Sequence, residues 1–315
     1  MLPIDYGKFL CVNEGKQVAA VEGQTTIIEL SNGYRVWTRR MGESPVKVLL
    51  LHGGPGLTHE YLENFHVYLP KNRIEMYFYD QLGSYFSDQP DDMEPWTIER
   101  FTEEIEEVRK GLILEDFYLF GHSWGGVLAI EYALKYGDSL KGLIISNMAA
   151  SSASWEKKMN ELRDLFPQEI IQKMKKMEAE NQNETDEYFQ IYWEYFGKNH
   201  ICRLDALPEA VIRSENHINL KLIDAFLGNE EFKINGKLKE WNSWDKIQHI
   251  TVPTLLITGR YDYMAAEDHE EMGRRIPDAR VCICENGSHL TMWDDTEDYF
   301  QHLIQFIEDV ENREG

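Results

Sequence analysis

One segment constrains the fold more than any other. The apolar strand pattern Phe117 to Phe120 runs into Gly121-His122-Ser123-Trp124-Gly125 and then into the helical pattern Val127 to Tyr136. A serine between a strand end and a helix start sits on a tight turn. Its neighbours must be small, and Gly121, Gly125 and Gly126 meet that need. This is the strand–turn–helix setting of a nucleophile elbow, which pushes Ser123 Oγ outward. The helix start brings oriented N–H groups and a favourable dipole, so Trp124 N–H is the first candidate donor to an oxyanion.

The rest of the chain repeats this alternation. Thr25 to Leu30 and Tyr34 to Arg40 read as a hairpin around Asn32-Gly33. Val46 to Leu51 is an apolar strand, Glu60 to Leu69 a helical pattern, and Glu75 to Tyr79 a strand. Thr97 to Gly111 is an amphipathic helix, acidic early and basic late, and Leu143 to Ile145 a buried strand. From about Ala150 to Lys246 the alternation stops, and Trp155 to Glu180 reads as helices broken near Pro167. The alternation resumes with Thr254 to Thr258, Ala265 to Arg275, Arg280 to Cys284 and Asp298 to Val310. Repeated βα units imply an α/β fold with a mostly parallel sheet and flanking helices. The expected division is a core of 1–149 and 247–315 with an inserted helical cap of 150–246. The aromatic run Tyr188, Phe189, Tyr192, Trp193, Tyr195 and Phe196 offers apolar walls for a pocket between cap and core, or plain cap packing.

Bulk properties exclude several function classes. A formal charge of -23 repels phosphate backbones and anionic lipid surfaces, so neither nucleic acid nor membrane is an expected partner. The same field mildly favours neutral or cationic substrates. No stretch reaches the roughly 18 apolar residues of a membrane span, and Met1 to Gly15 lacks the apolar centre of a signal peptide, so a cytoplasmic location is expected. Cys11, Cys202, Cys282 and Cys284 lack the paired spacing of a zinc site and read as reduced structural thiols.

A second motif, His52-Gly53-Gly54-Pro55-Gly56, ends the strand Val46 to Leu51 and suits the glycine-rich loop that completes an oxyanion hole. Gly54 N–H is the second candidate donor, and His52 a residue that orders the loop. A serine hydroxyl needs an imidazole to take its proton, and the imidazole needs an acid to fix its tautomer. Behind a nucleophile elbow the order is Ser, acid, His, on loops after later strands. Asp262 in Gly259-Arg260-Tyr261-Asp262 and His289 in Asn286-Gly287-Ser288-His289 meet both conditions. His269 lies inside a helix pattern and fits less well. Asp80 precedes Ser123, has the wrong order for the acid, and reads as a loop-structuring residue.

Four segments, His52-Gly53-Gly54-Pro55-Gly56, Asp80-Gln81-Leu82-Gly83, Gly121-His122-Ser123-Trp124-Gly125-Gly126 and Ser288-His289-Leu290-Thr291-Met292-Trp293, carry a resemblance to the proline iminopeptidases of the α/β-hydrolase superfamily. Within that group they resemble especially the tricorn-interacting aminopeptidase factors. The resemblance spans nearly the whole chain. It implies release of an N-terminal residue, often proline, from small peptides or amides, with no metal or organic cofactor. It also implies acidic side chains that hold the substrate α-amine. Glu231 matches the cap position of one, while Tyr263 stands where those relatives carry Glu beside the triad acid. A carboxylesterase with the same triad and a silent ligand-binding protein are the alternatives, since fold alone does not choose among them.

Overall fold

The Asn32-Gly33 turn closes the first hairpin. Gly33 takes φ +84°, a region open to glycine, and Leu30 and Tyr34 bond across the turn. The structure is a computed structural model that describes residues 23–91 and 96–313; Cys11 and the Met1 to Gly15 stretch lie outside the described residues. The hairpin strands are β1 (Gln24–Glu29) and β2 (Arg35–Met41), followed by β3 (Val46–Leu51), the short α1 (Phe65–Tyr68) and β4 (Ile74–Asp80). Then come α2 (Ile98–Gly111), β5 (Phe117–His122), α3 (Trp124–Tyr136) and β6 (Leu140–Ser146). After a helical stretch the order ends with β7 (Thr254–Gly259), a helix at Ala266–Arg275, β8 (Ala279–Cys284) and a final helix at Thr296–Arg313.

Eight strands form one sheet in the order β1-β2-β4-β3-β5-β6-β7-β8, in which β2 runs antiparallel to both neighbours and every other pair is parallel. Strand alternation divides the core between the two faces. Leu49 and Leu51 pack with Ile105, Val108 and Val127, while Val48 and Leu50 pack with Phe65, Leu303 and Phe306. Apolar side chains are needed on both faces of β3, which is why Val46 to Leu51 reads as a continuous apolar run. Ser123 lies at the carboxyl end of β5, where loops gather over a parallel sheet.

Between β6 and β7 lie α4 (Ser152–Arg163), α5 (Gln168–Ala179), α6 (Asp186–Tyr192), a π-helical segment Trp193–Ile201, α7 (Glu209–Asn216) and α8 (Leu220–Phe226). The chain returns close to where it left: Ser151 bridges Asn242, and Ser243 N–H donates to Ala150 O at 2.8 Å. Arg213 of α7 ties this layer to the turn after β3, reaching Glu60 at 2.8 Å and Glu63 at 2.5 Å. That turn differs from the expected helix over Glu60 to Leu69. It is a 3₁₀ turn, His59–Leu62, and then a single helical turn that ends before Pro70. Leu69 keeps helical dihedrals, but Pro70 has no N–H to continue the helix ladder, and Asp80 draws His59 N–H into a 2.7 Å bond at the start of the segment. Among the described residues no helix is long and apolar enough to cross a membrane. Cys202, Cys282 and Cys284 are buried and unpaired by disulfides.

Candidate active site

Ser123 adopts φ 54° and ψ −123°, a backbone state that costs free energy and persists only when its surroundings enforce it. They do so by close approach. A Cβ on Gly121 would lie 2.1 Å from Gly125 O, and one on Gly125 would lie 2.3 Å from Leu51 O. Ser123 N–H donates to Ser146 O on β6 at 3.0 Å, while Ser123 O accepts from Gly126 N–H at 2.7 Å and starts α3. Trp124 N–H and Gly54 N–H have no hydrogen-bond partner among the described residues. Gly53 N–H, by contrast, is taken by Tyr61 Oη at 2.6 Å.

Asp262 and His289 meet, with His289 Nδ1 2.9 Å from Asp262 Oδ1. Asp262 also accepts from Asn147 Nδ2 at 2.7 Å, Thr258 Oγ1 at 2.9 Å and Met264 N–H at 3.0 Å. Burial pushes its carboxyl pKa up, but the His289 charge, the His289 bond and the other donors outweigh it and hold Asp262 below the usual range. An ionised Asp262 fixes His289 with Nδ1 as donor, leaving Nε2 to act as base. No hydrogen bond joins Ser123 to His289. The Tyr263 hydroxyl is a polar neighbour of Ser123, and the Tyr263 ring stacks on His289 with centroids 4.2 Å apart. Catalytic hydrogen bonds are often loose before substrate arrives.

The π-helical segment holds both loops. His200 O accepts from His289 N–H at 3.0 Å, Ile201 O from Leu290 N–H at 2.8 Å, and His200 Nδ1 lies 2.7 Å from Tyr261 O. On the other side His52 orders the glycine-rich loop. Its Nδ1 lies 2.8 Å from Gly53 O and its Nε2 accepts from Gln81 N–H at 3.2 Å, while Gln81 Oε1 accepts from Trp124 Nε1 at 2.7 Å. Burial lowers the His52 pKa, which suits this neutral role. Asp80 is buried against His59 at 2.8 Å, and His269 bonds the Ala265 carbonyl of its own helix; neither joins Ser123.

Above Ser123 opens a cavity of about 230 Å³. Tyr188, Phe189 and Tyr192 of the aromatic run line it, together with aliphatic side chains of α7 and α8. Trp193 and Tyr195 do not, and Phe196 packs instead on Tyr192, Phe232 and Tyr263. Glu231 lines the cavity, and so do Glu184 and Glu215, with no Lys or Arg among the described lining residues. Burial, then the nearby Glu178 and Asp224, push the Glu231 pKa up to about 7. Glu215 stands at the reactive end, where its charge acts on both Tyr61 and Tyr263. Sequence reasoning missed Glu215, Asn147 and Tyr61. Each reaches the site through contacts distant in sequence, so no local pattern marks it.

Residues 47–296 match the family model described as alpha/beta hydrolase fold. A proline iminopeptidase of Flavobacterium johnsoniae is 43% identical over 281 residues, which cover 88% of this chain and 95% of the relative. One from Elizabethkingia meningoseptica is 41% identical over 285 residues, 89% of this chain and 96% of its own. The crystal structure of a proline iminopeptidase from Mycobacterium smegmatis matches with a TM-score of 0.86 at 25% identity, over 93% of this chain and all of that one.

Proposed function

The chain belongs to the alpha/beta hydrolase fold family and, within it, to the proline iminopeptidases; on that premise we propose that it releases N-terminal proline, or another apolar residue, from small peptides or amino-acid amides through an acyl-enzyme. The observation that carries this reading is the combination of Ser123, His289 and Asp262 with a cavity that holds three carboxylates and no described cation. A buried ammonium needs such a partner. Substrate enters between the core and the cap, 150–246, with its apolar side chain against the aromatic and aliphatic walls.

In the first step Ser123 Oγ turns to His289, gives its proton to His289 Nε2 and attacks the carbonyl carbon. Negative charge moves to the carbonyl oxygen, which Gly54 N–H and Trp124 N–H receive. Asp262 stabilises the imidazolium. His289 then passes the proton to the leaving amine as the C–N bond breaks, and the acyl group stays on Ser123. Water, deprotonated by His289, attacks the ester carbonyl; as the bond to Ser123 Oγ breaks, His289 returns the proton to Oγ and the amino acid is freed. The substrate α-amine, as ammonium, is held by the cavity carboxylates Glu215 and Glu231, and Tyr263 provides a neutral hydrogen-bond acceptor. Three buried thiols suit a reducing compartment, and we place the activity in the cytoplasm.

The test is a panel of aminoacyl chromogenic amides, free and N-blocked, beside simple esters. The proposal expects free prolyl amides to be cleaved and N-blocked forms to be refused. Equal cleavage of blocked and free amides, or cleavage of esters alone, overturns the aminopeptidase assignment in favour of a carboxylesterase.

A further inference from the structure

Tyr61 and His122 are buried beside Ser123, yet the reaction above gives them no role. They join in one chain of hydrogen bonds whose direction is fixed at both ends. Gly53 N–H can only donate, and it donates to Tyr61 Oη at 2.6 Å. Tyr61 Oη lies 2.9 Å from His122 Nδ1, and His122 Nε2 lies 2.9 Å from His289 O, a carbonyl that can only accept. His122 Nε2 therefore carries a proton. With a neutral ring, Nδ1 is bare and Tyr61 O–H donates to it. The chain spans the glycine-rich loop, the residue before the nucleophile, and the backbone of the base.

Resting on the hydrolase reading, we infer that Tyr61 and His122 are positioning residues that lock the oxyanion loop and the His289 loop into register around Ser123. Two consequences follow from the bonding pattern. Tyr61 occupies Gly53 N–H, which removes it from the donors open to the oxyanion and leaves that role to Gly54 N–H. His122 grips the carbonyl of His289 while Asp262 grips its ring, which fixes the residue at two points. The His122 ring stands 4.8 Å from the His289 ring, centroid to centroid. A second cation there would oppose the imidazolium formed during catalysis. Burial, then the charge of His289, drive the His122 pKa down to about 3, so His122 stays neutral while His289 works. Gly53 is tightly enclosed: a Cβ would lie 3.1 Å from both Ser123 Cβ and Tyr61 Oη, so either would have to give by a few tenths of an ångström.

The test compares Tyr61→Phe, His122→Gln, His122→Ala and the Tyr61→Phe/His122→Ala double variant. Each is assayed on prolyl 4-nitroanilide and, for the acylation rate, on 4-nitrophenyl acetate. Tyr61→Phe keeps the ring and removes both bonds of its hydroxyl. We expect kcat to fall about 10- to 100-fold on the anilide with KM within about threefold, and a similar fall in acylation by the ester. His122→Ala should match it, the double variant should be no more than about threefold worse than either single, and His122→Gln, which retains a donor for His289 O, should recover part of the loss. Loss of kcat below about threefold in folded Tyr61→Phe, losses that multiply in the double variant, or a change confined to KM each overturn the inference. Circular dichroism establishes folding, and His122→Gln against His122→Ala repeats the comparison should Tyr61→Phe fail to fold. An unaltered enzyme without Ser123-dependent turnover on either substrate refutes the hydrolase reading itself, and this inference with it.

Discussion

Replacing Glu231 by Gln should move stability and activity in opposite directions. In the folded protein its carboxyl is shifted from the usual 4.5 to about 7 by burial, Glu178 and Asp224, so ionising it works against the fold. The sign is opposite to that of a salt-bridged acid. Below pH 4.5 the side chain is neutral in both states and has no effect. Between pH 4.5 and 7 the destabilisation grows, and above 7 it is complete. A displacement of this size corresponds to about 3 kcal/mol. Glu231 is half-buried and faces the cavity, so water screens part of that and about 1–2 kcal/mol is recoverable by a neutral isostere. Glu231→Gln should then raise Tm by about 1.5–3 °C at pH 8 and leave it unchanged at pH 4.5, by differential scanning calorimetry. At pH 8 the same variant should lose about 10²- to 10³-fold in kcat/KM on free-amine anilides, the equivalent of about 3–4 kcal/mol for a lost charged contact, and keep its rate on neutral esters. An unchanged or lower Tm at pH 8, or equal losses on amines and esters, would refute the reasoning.

Asp262→Asn should retain the fold and lower kcat by about 10⁴-fold by destroying the ionised partner that fixes the His289 tautomer, whereas Asp80→Asn, in contact with His59 instead, should stay within about tenfold of the unaltered rate in steady-state assays. The depressed Asp262 pKa also predicts stability that is present above the usual carboxylate range and lost as pH falls through its lowered value, a loss that Asp262→Asn should abolish in acid unfolding curves. Gly125→Ala should destabilise the protein by at least about 2 kcal/mol in urea unfolding, since its methyl group would lie 2.3 Å from the Leu51 carbonyl; a drop below about 0.5 kcal/mol would show that the elbow yields easily.

What the sequence discloses about this site depends on how local each signal is. The elbow is legible because Gly121, Ser123 and Gly125 constrain one another within a single turn. Asp262 and His289 are legible because strand order in a parallel sheet restricts which loops converge, so position along the chain stands in for position in space. Glu215 offers no such cue. It sits in an ordinary amphipathic helix, α7, and only the packing of that helix over the cavity brings it to Tyr61 and Tyr263. Asn147 reads as a loop residue after a strand, although its amide holds Asp262 from 115 residues away. His122 reads as an interchangeable position of the Gly-x-Ser-x-Gly pattern, although its ring joins segments 61 and 167 residues distant. The Trp193–Ile201 segment was legible as aromatic but not as π-helical, because aromatic spacing records burial, whereas the grip of its carbonyls on Leu290 and His289 is backbone chemistry common to every sequence.

The central claim is that Ser123 carries the acyl group. Intact-protein and peptide mass spectrometry of a rapidly quenched reaction with 4-nitrophenyl acetate tests it most directly. The account predicts one acetyl group per chain, localised to the peptide that contains Ser123, formed in a burst with nitrophenolate release and absent from Ser123→Ala. Turnover by folded Ser123→Ala at a near-normal rate, or an acyl group on any other side chain, would contradict it.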